Sequence, residues 1–220
     1  MADQEAKAEE APEFERDEGW DRKHEMICGV LIAVFAAALA ITDLGGGRYG
    51  DDELLTSNNR ASAYAWYQSK SIKASLVKSE RELLVGLLDA GAIEPTRIAP
   101  LRAHVKTLDN RRANYDRERR EILLGSAAVG KANWAQESGG ELGKIVGAKP
   151  LELREGKLGA VGDIFDLGTF FLQLCLVMGA ISLVLEHPRP KLLFLVVMNL
   201  LGITGIIVSS AAFIAVTKIP

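Results

Sequence analysis

The sequence predicts an all-α integral membrane protein. Three transmembrane helices carry an extramembrane helical hairpin, or coiled coil, between the first and the second. Two observations lead there. Residues 26–41, 167–185 and 192–216 contain no Asp, Glu, Lys or Arg, although 25% of the 220 residues are charged. Such segregation does not arise in a single soluble core. Between the first two apolar runs, apolar residues recur three and four apart, the spacing of a helix face.

Residues 1–25 hold ten acidic and four basic side chains and few large apolar ones, the composition of a mobile acidic tail. This tail sets the net charge of -3. The near-balanced middle gives no electrostatic reason to expect nucleic acid.

The first transmembrane helix is expected at 26–44. Met26–Ile41 is uncharged, and Thr42–Leu44 extends it to the length a bilayer core requires, with Asp43 near its end. A secretory signal would open on a short basic segment. Here acidic residues come first, so an uncleaved span is expected. Gly29, Ala33 and Ala37 recur every fourth residue, which lets another helix approach closely.

A Gly-rich linker is expected at 45–51, and the hairpin at 52–124. Ile72, Leu76, Leu83 and Leu87 form a helical stripe, with Asp51 and Asp52 placed to cap its helix. Gly91–Pro95 breaks it. A second helix starts near Pro95 or Pro100 and runs to Leu124 with a heptad seam: Ile98, Leu101, Val105, Leu108, Arg112, Tyr115, Arg119, Ile122. A buried arginine without a partner is costly, so the upper seam must be exposed, paired with carboxylates such as Asp116 or Glu118, or frayed. Each helix alone exposes an apolar stripe, so the two pack on each other or on a second copy. Glycine density at 125–165 predicts a loop with short helices.

Transmembrane helices two and three are expected at 166–185 and 192–216, joined by a tight turn at 186–191 that holds Pro188 and Pro190. Gln173 and Asn199 are candidates for hydrogen bonds across helices, and Gly205 with Ser209 forms another small pair. Arg22, Lys23, Arg189 and Lys191 flank spans on one side. The positive-inside rule makes the N-terminus and residues 186–191 cytoplasmic and puts 45–165 outside.

The chemistry is sparse. No Asp, Glu, Lys, Arg or His lies within the three runs, which gives no support to a proton path. Cys28 and Cys175 are not in CxxC pairs, and His24, His104 and His187 are far apart, so no metal is expected. Gly125–Lys131 resembles a phosphate-binding loop, yet Ala132 replaces the required Ser or Thr and no strand precedes it. No catalytic residue and no cofactor are expected, and the protein is not expected to be an enzyme. The expected role is a membrane-embedded scaffold or accessory subunit in contact with lipid, within a homo-oligomer or a larger membrane complex. The rival is an oligomeric pore or transporter component, with Gln173 and Asn199 lining a wet path.

Tyr64, Trp66 and Tyr67 join a large apolar body to a polar handle, which suits packing within the hairpin or an oligomer, a partner contact or a lipid headgroup layer; they are the candidate partner contacts. The stretch Asn58–Lys73, with its Trp66-Tyr67-Gln68 block and Lys70-Ser71-Ile72-Lys73 end, resembles domain-of-unknown-function family 4337. So does the layout of acidic tail, span, helical middle and two closely linked spans. The glycine-rich stretches depart from that pattern. The resemblance implies a three-span bacterial membrane protein, hence an inner membrane and a periplasmic 45–165, and no established activity.

Overall fold

The structure, a computed structural model, describes residues 18–219. It is all-helical apart from one minimal β-hairpin. The elements are α1 (Glu18–Asp89), α2 (Pro95–Leu124), α3 (Ser126–Val129), a 3-10 turn (Lys131–Asn133), β1 (Glu137–Ser138), β2 (Glu141–Leu142), α4 (Ala148–Val184) and α5 (Pro188–Val216). Helices α1, α4 and α5 are each long and apolar enough to cross a membrane. The described residues divide into two compact units, 18–43 with 167–209, and 44–166 with 210–219.

Three expected boundaries move. The acidic tail was expected to reach residue 25, yet 18–25 are already helical; residues 1–17 lie outside the described residues. The linker expected at 45–51 is helix, so Asp51 and Asp52 sit inside α1 and cap nothing. Glycine is about 1 kcal/mol worse than Ala in a helix interior. Here bare backbone is what the packing needs. A Cβ on Gly45 would stand 2.6 Å from the Phe213 ring and 3.0 Å from Phe165. Finally, the loop expected at 125–165 ends at Gly147, and α4 begins at Ala148. Gly156, Gly159 and Gly162 lie within that helix. Gly159 faces the Glu53 carboxylate, which would be 3.0 Å from an added Cβ.

In the first unit, segments of α1, α4 and α5 surround a core of Cys28, Phe35, Leu172, Cys175 and Met198. Glycines set the interhelical spacing. A Cβ on Gly202 would meet the Phe35 ring at 2.4 Å, one on Gly205 would meet Leu172 at 2.7 Å, and one on Gly168 would meet Ser209 Oγ at 2.3 Å. Small residues at these points let the helices interlock, as packing in a bilayer requires. Hydroxyls add links between helices. Thr42 and Ser209 meet at 3.1 Å, and Thr169 donates to Asp43 at 3.1 Å. Ser182 donates to the Lys191 carbonyl and lies 3.2 Å from His24 Nε2.

In the second unit, α1 and α2 form the expected antiparallel hairpin. Lys70 pairs with Glu118 at 2.7 Å, Arg119 donates to Ser71 at 3.2 Å, Arg81 pairs with Asp109 and His104 lies 3.4 Å from Glu80. The seam of α2 turns inward: Leu108 and Ile122 are buried and its other members are half-buried. Arg112 and Arg119 both reach Asp116, at 4.0 and 3.1 Å. The first part of α4 also runs antiparallel to α1. Arg60 pairs with Glu155 at 2.9 Å, and Tyr49 stacks on Phe165. Val161, Phe165 and Ala212 form the core there.

Candidate functional site

Helix α1 is the longest element and the one against which α2 packs. In the second unit it has two unlike faces. The inward one holds Tyr67, Ala74, Val77, Arg81, Leu84 and Leu88, all buried or half-buried. The stripe read from the sequence lies on the opposite side. Ile72 is 61% exposed, Leu76 and Leu83 are each 65% exposed, and Leu87 is 38% exposed. Packing of that stripe within the hairpin is therefore overturned. The hairpin closes instead through a mixed face that includes the charged Lys70 and Arg81. Apolar spacing marked one face of a helix that has two, and Lys70 and Arg81 on the inner face concealed it.

The aromatic block is divided among three environments. Tyr64 donates to Glu152 of α4 at 2.7 Å. Glu152, accepting that hydrogen, holds the phenol above its ordinary value of 10.0. The Tyr67 ring lies under the Arg119 guanidinium at 5.8 Å, a cation–π contact inside the hairpin. Trp66 lines an open groove of about 420 Å³ with Asn59, Ser62, Lys144, Val146 and Leu151.

One wall of that groove is the loop 125–147, and a buried carboxylate holds it. Glu121, with no exposed surface, accepts from Ser126 Oγ at 2.7 Å and from the backbone N–H groups of Ala135 and Gln136 at 2.7 and 2.9 Å. Ser126 Oγ accepts from the Ile145 N–H at 3.0 Å, and the Ser126 carbonyl accepts from Trp134 Nε1 at 2.9 Å. The two ends of the loop touch: a Cβ on Gly147 would lie 2.3 Å from the Gly125 nitrogen. Both glycines have φ of +90°, where an L side chain is strained. Sequence reading treated Gly125–Lys131 as a failed phosphate loop. Instead Gly125 and Gly130 bracket the four-residue α3, and Lys131 sits over the Trp134 ring at 6.0 Å.

The remaining sequence-derived positions divide as follows. Gly205 and Ser209 do pack against α4. Gly29, Ala33 and Ala37 are exposed, and a Cβ on Gly29 meets nothing within 4 Å. The inward face of α1 in the first unit is His24, Cys28, Phe35 and Thr42 instead. Gln173 is exposed, and Asn199 donates to the Leu195 carbonyl of its own helix at 2.9 Å. Among the described residues, no group of three His, Cys, Asp or Glu side chains is arranged to hold a metal ion.

The family model described as Domain of unknown function (DUF4337) matches residues 24–215. No curated protein and no solved structure matches the chain.

Proposed function

Since the chain belongs to domain-of-unknown-function family 4337, which carries no activity to transfer, we propose a role from the surfaces alone: a membrane-embedded structural or accessory subunit that assembles through helix α1. The observation that carries this reading is the exposed stripe Ile72, Leu76, Leu83 and Leu87 on a helix whose other face is already occupied by α2. Apolar surface left open on a finished hairpin marks an interaction site. The exposed small-residue face Gly29, Ala33 and Ala37 supports the same reading for the membrane portion.

In this reading the protein sits in a bacterial inner membrane. The N-terminus and 186–191 face the cytoplasm and 45–165 face the periplasm, as Arg22, Lys23, Arg189 and Lys191 favour. The reading makes the protein a non-enzyme.

The experiment is the particle size of the protein extracted from native membranes in mild detergent. Leu76→Asp with Leu83→Asp, and separately Gly29→Leu with Ala33→Leu, are expected to shrink the particle. All four positions are exposed in the single chain, so the fold tolerates these changes. Unchanged size in both variants would sink the assembly reading.

A further inference from the structure

We propose that the exposed face of α1 in the second unit docks on the same face of a second copy of this chain. The inference rests on the assembly reading above and names the partner.

At 3.6 residues per turn, fourteen positions between Leu54 and Asp89 fall within about 60° of the line through Ile72. None is charged, and all but Ser57 are exposed. The eight charged residues of that stretch all lie elsewhere on the helix. The face runs for about 54 Å. With its edge positions it offers about 20 residues, the number in one side of a standard interface of about 800 Å² per partner. Two surfaces of that size bring a stable association within reach. An uncharged face gives a headgroup layer or a strongly charged partner nothing to pair with.

Self-docking demands self-complementarity, and the edges supply it. Lys73 and Glu80 lie along one edge, Glu82 and Asp89 along the other. If the two copies run antiparallel, with Ile72 opposite Leu83, each Lys73 lies opposite Glu80 of the second copy, and this happens twice by symmetry. Glu82 and Asp89 then meet Ser75 and Gln68. If the copies run parallel, Lys73 meets Gln68, Glu80 meets Ser75 and Glu82 meets Leu87. Like charges are brought together in neither direction. The core positions of the face combine Leu and Ile with Ala, Ser and Gly, so large side chains have small ones beside them to fill.

Cysteine cross-linking of the purified full-length chain in nanodiscs tests this. Ile72→Cys and Leu83→Cys are prepared singly and mixed, with Arg111→Cys on the outer side of α2 as control. The native Cys28 and Cys175 are buried and stay in place. Parallel docking gives covalent dimers of each single variant with itself. Antiparallel docking gives them only when the two variants are mixed. Either pattern supports the second copy and reads its direction. Dimer yield no higher than the Arg111→Cys control in all three samples overturns it. A second measurement is the dissociation constant of the dimer by light scattering. Leu76→Asp removes one leucine from each copy, so at least about a 100-fold weakening is expected. A monomer at every concentration tested also overturns the proposal. Loss of the native-membrane particle in Leu76→Asp with Leu83→Asp, without self-cross-linking, would refute the second copy and leave the assembly reading standing. Retention of the particle in that variant would refute the second copy, and retention in Gly29→Leu with Ala33→Leu as well would refute the assembly reading too.

Discussion

Glu121→Gln tests the knot that shapes the groove wall. The carboxylate serves three donors, Ser126 Oγ and the N–H groups of Ala135 and Gln136. A glutamine has one acceptor oxygen. Turned toward Ala135 and Gln136, it keeps both bonds, but each falls from a charge-assisted bond to a neutral one, a loss of about 1 kcal/mol apiece. Its NH₂ then faces Ser126 Oγ, whose hydrogen loses its acceptor, for about 1 kcal/mol more. The total is about 3 kcal/mol, which opens the loop about 150-fold more often. Hydrogen exchange followed by mass spectrometry reads this directly. Peptides covering 134–146 should exchange faster by that factor, while peptides of α2 ahead of residue 118 keep their protection. Glu137→Gln, an exposed carboxylate in the same loop, should change nothing. Unaltered exchange at 135, 136 and 145 in Glu121→Gln would refute the clamp. Acceleration across α2 as well would show that Glu121 holds the hairpin rather than the loop.

Four further outcomes are expected. Gly202→Ala forces a Cβ within 2.4 Å of the buried Phe35 ring, and overpacking of about 1–3 kcal/mol exceeds the gain in helix propensity, so stability in detergent should fall. Gly29→Ala, with open space around it, should match or exceed the parent in the same assay. Lys70→Met strands the buried Glu118 carboxylate, a loss of about 2–4 kcal/mol after allowance for its slight exposure, and Lys70→Met with Glu118→Leu should recover most of it. Tyr64 should ionise above the ordinary phenol value of 10.0 in an ultraviolet titration. Because its folded pKa is raised, its bond to Glu152 contributes fully below the ordinary value of 10.0 and is lost as pH rises through the raised one, a difference Tyr64→Phe should abolish.

Much of the fold was legible because charge exclusion over runs of 16 to 25 residues in an otherwise highly charged chain has one common structural outcome. The α2 seam was legible because a three–four alternation of apolar residues fixes a face. Glycine misled twice. At Gly45 and Gly159 it permits close packing inside helices, whereas at Gly125 and Gly147 it supplies φ of +90° at a loop. The residue is the same; only the tertiary neighbour distinguishes the uses. The inner face of α1 was hidden because Lys70 and Arg81 read as solvent-facing until Glu118 and Asp109 were placed opposite them. Glu121 left no signal: its donors come from 126, 135 and 136, and no local spacing connects a carboxylate with the backbone of a later loop.

The closure of Gly125 against Gly147 has a consequence for how such a chain can vary and be handled. Residues 126–146 leave and re-enter at a single point, so α2 and α4 meet the same junction whatever the excursion contains. Lengthening or shortening it at the exposed Gly139-Gly140 turn leaves the junction's hydrogen bonds and backbone contact in place. That turn is therefore the natural place to graft an epitope or a fluorophore, and the segment is where related chains can differ in length with least effect on the helices.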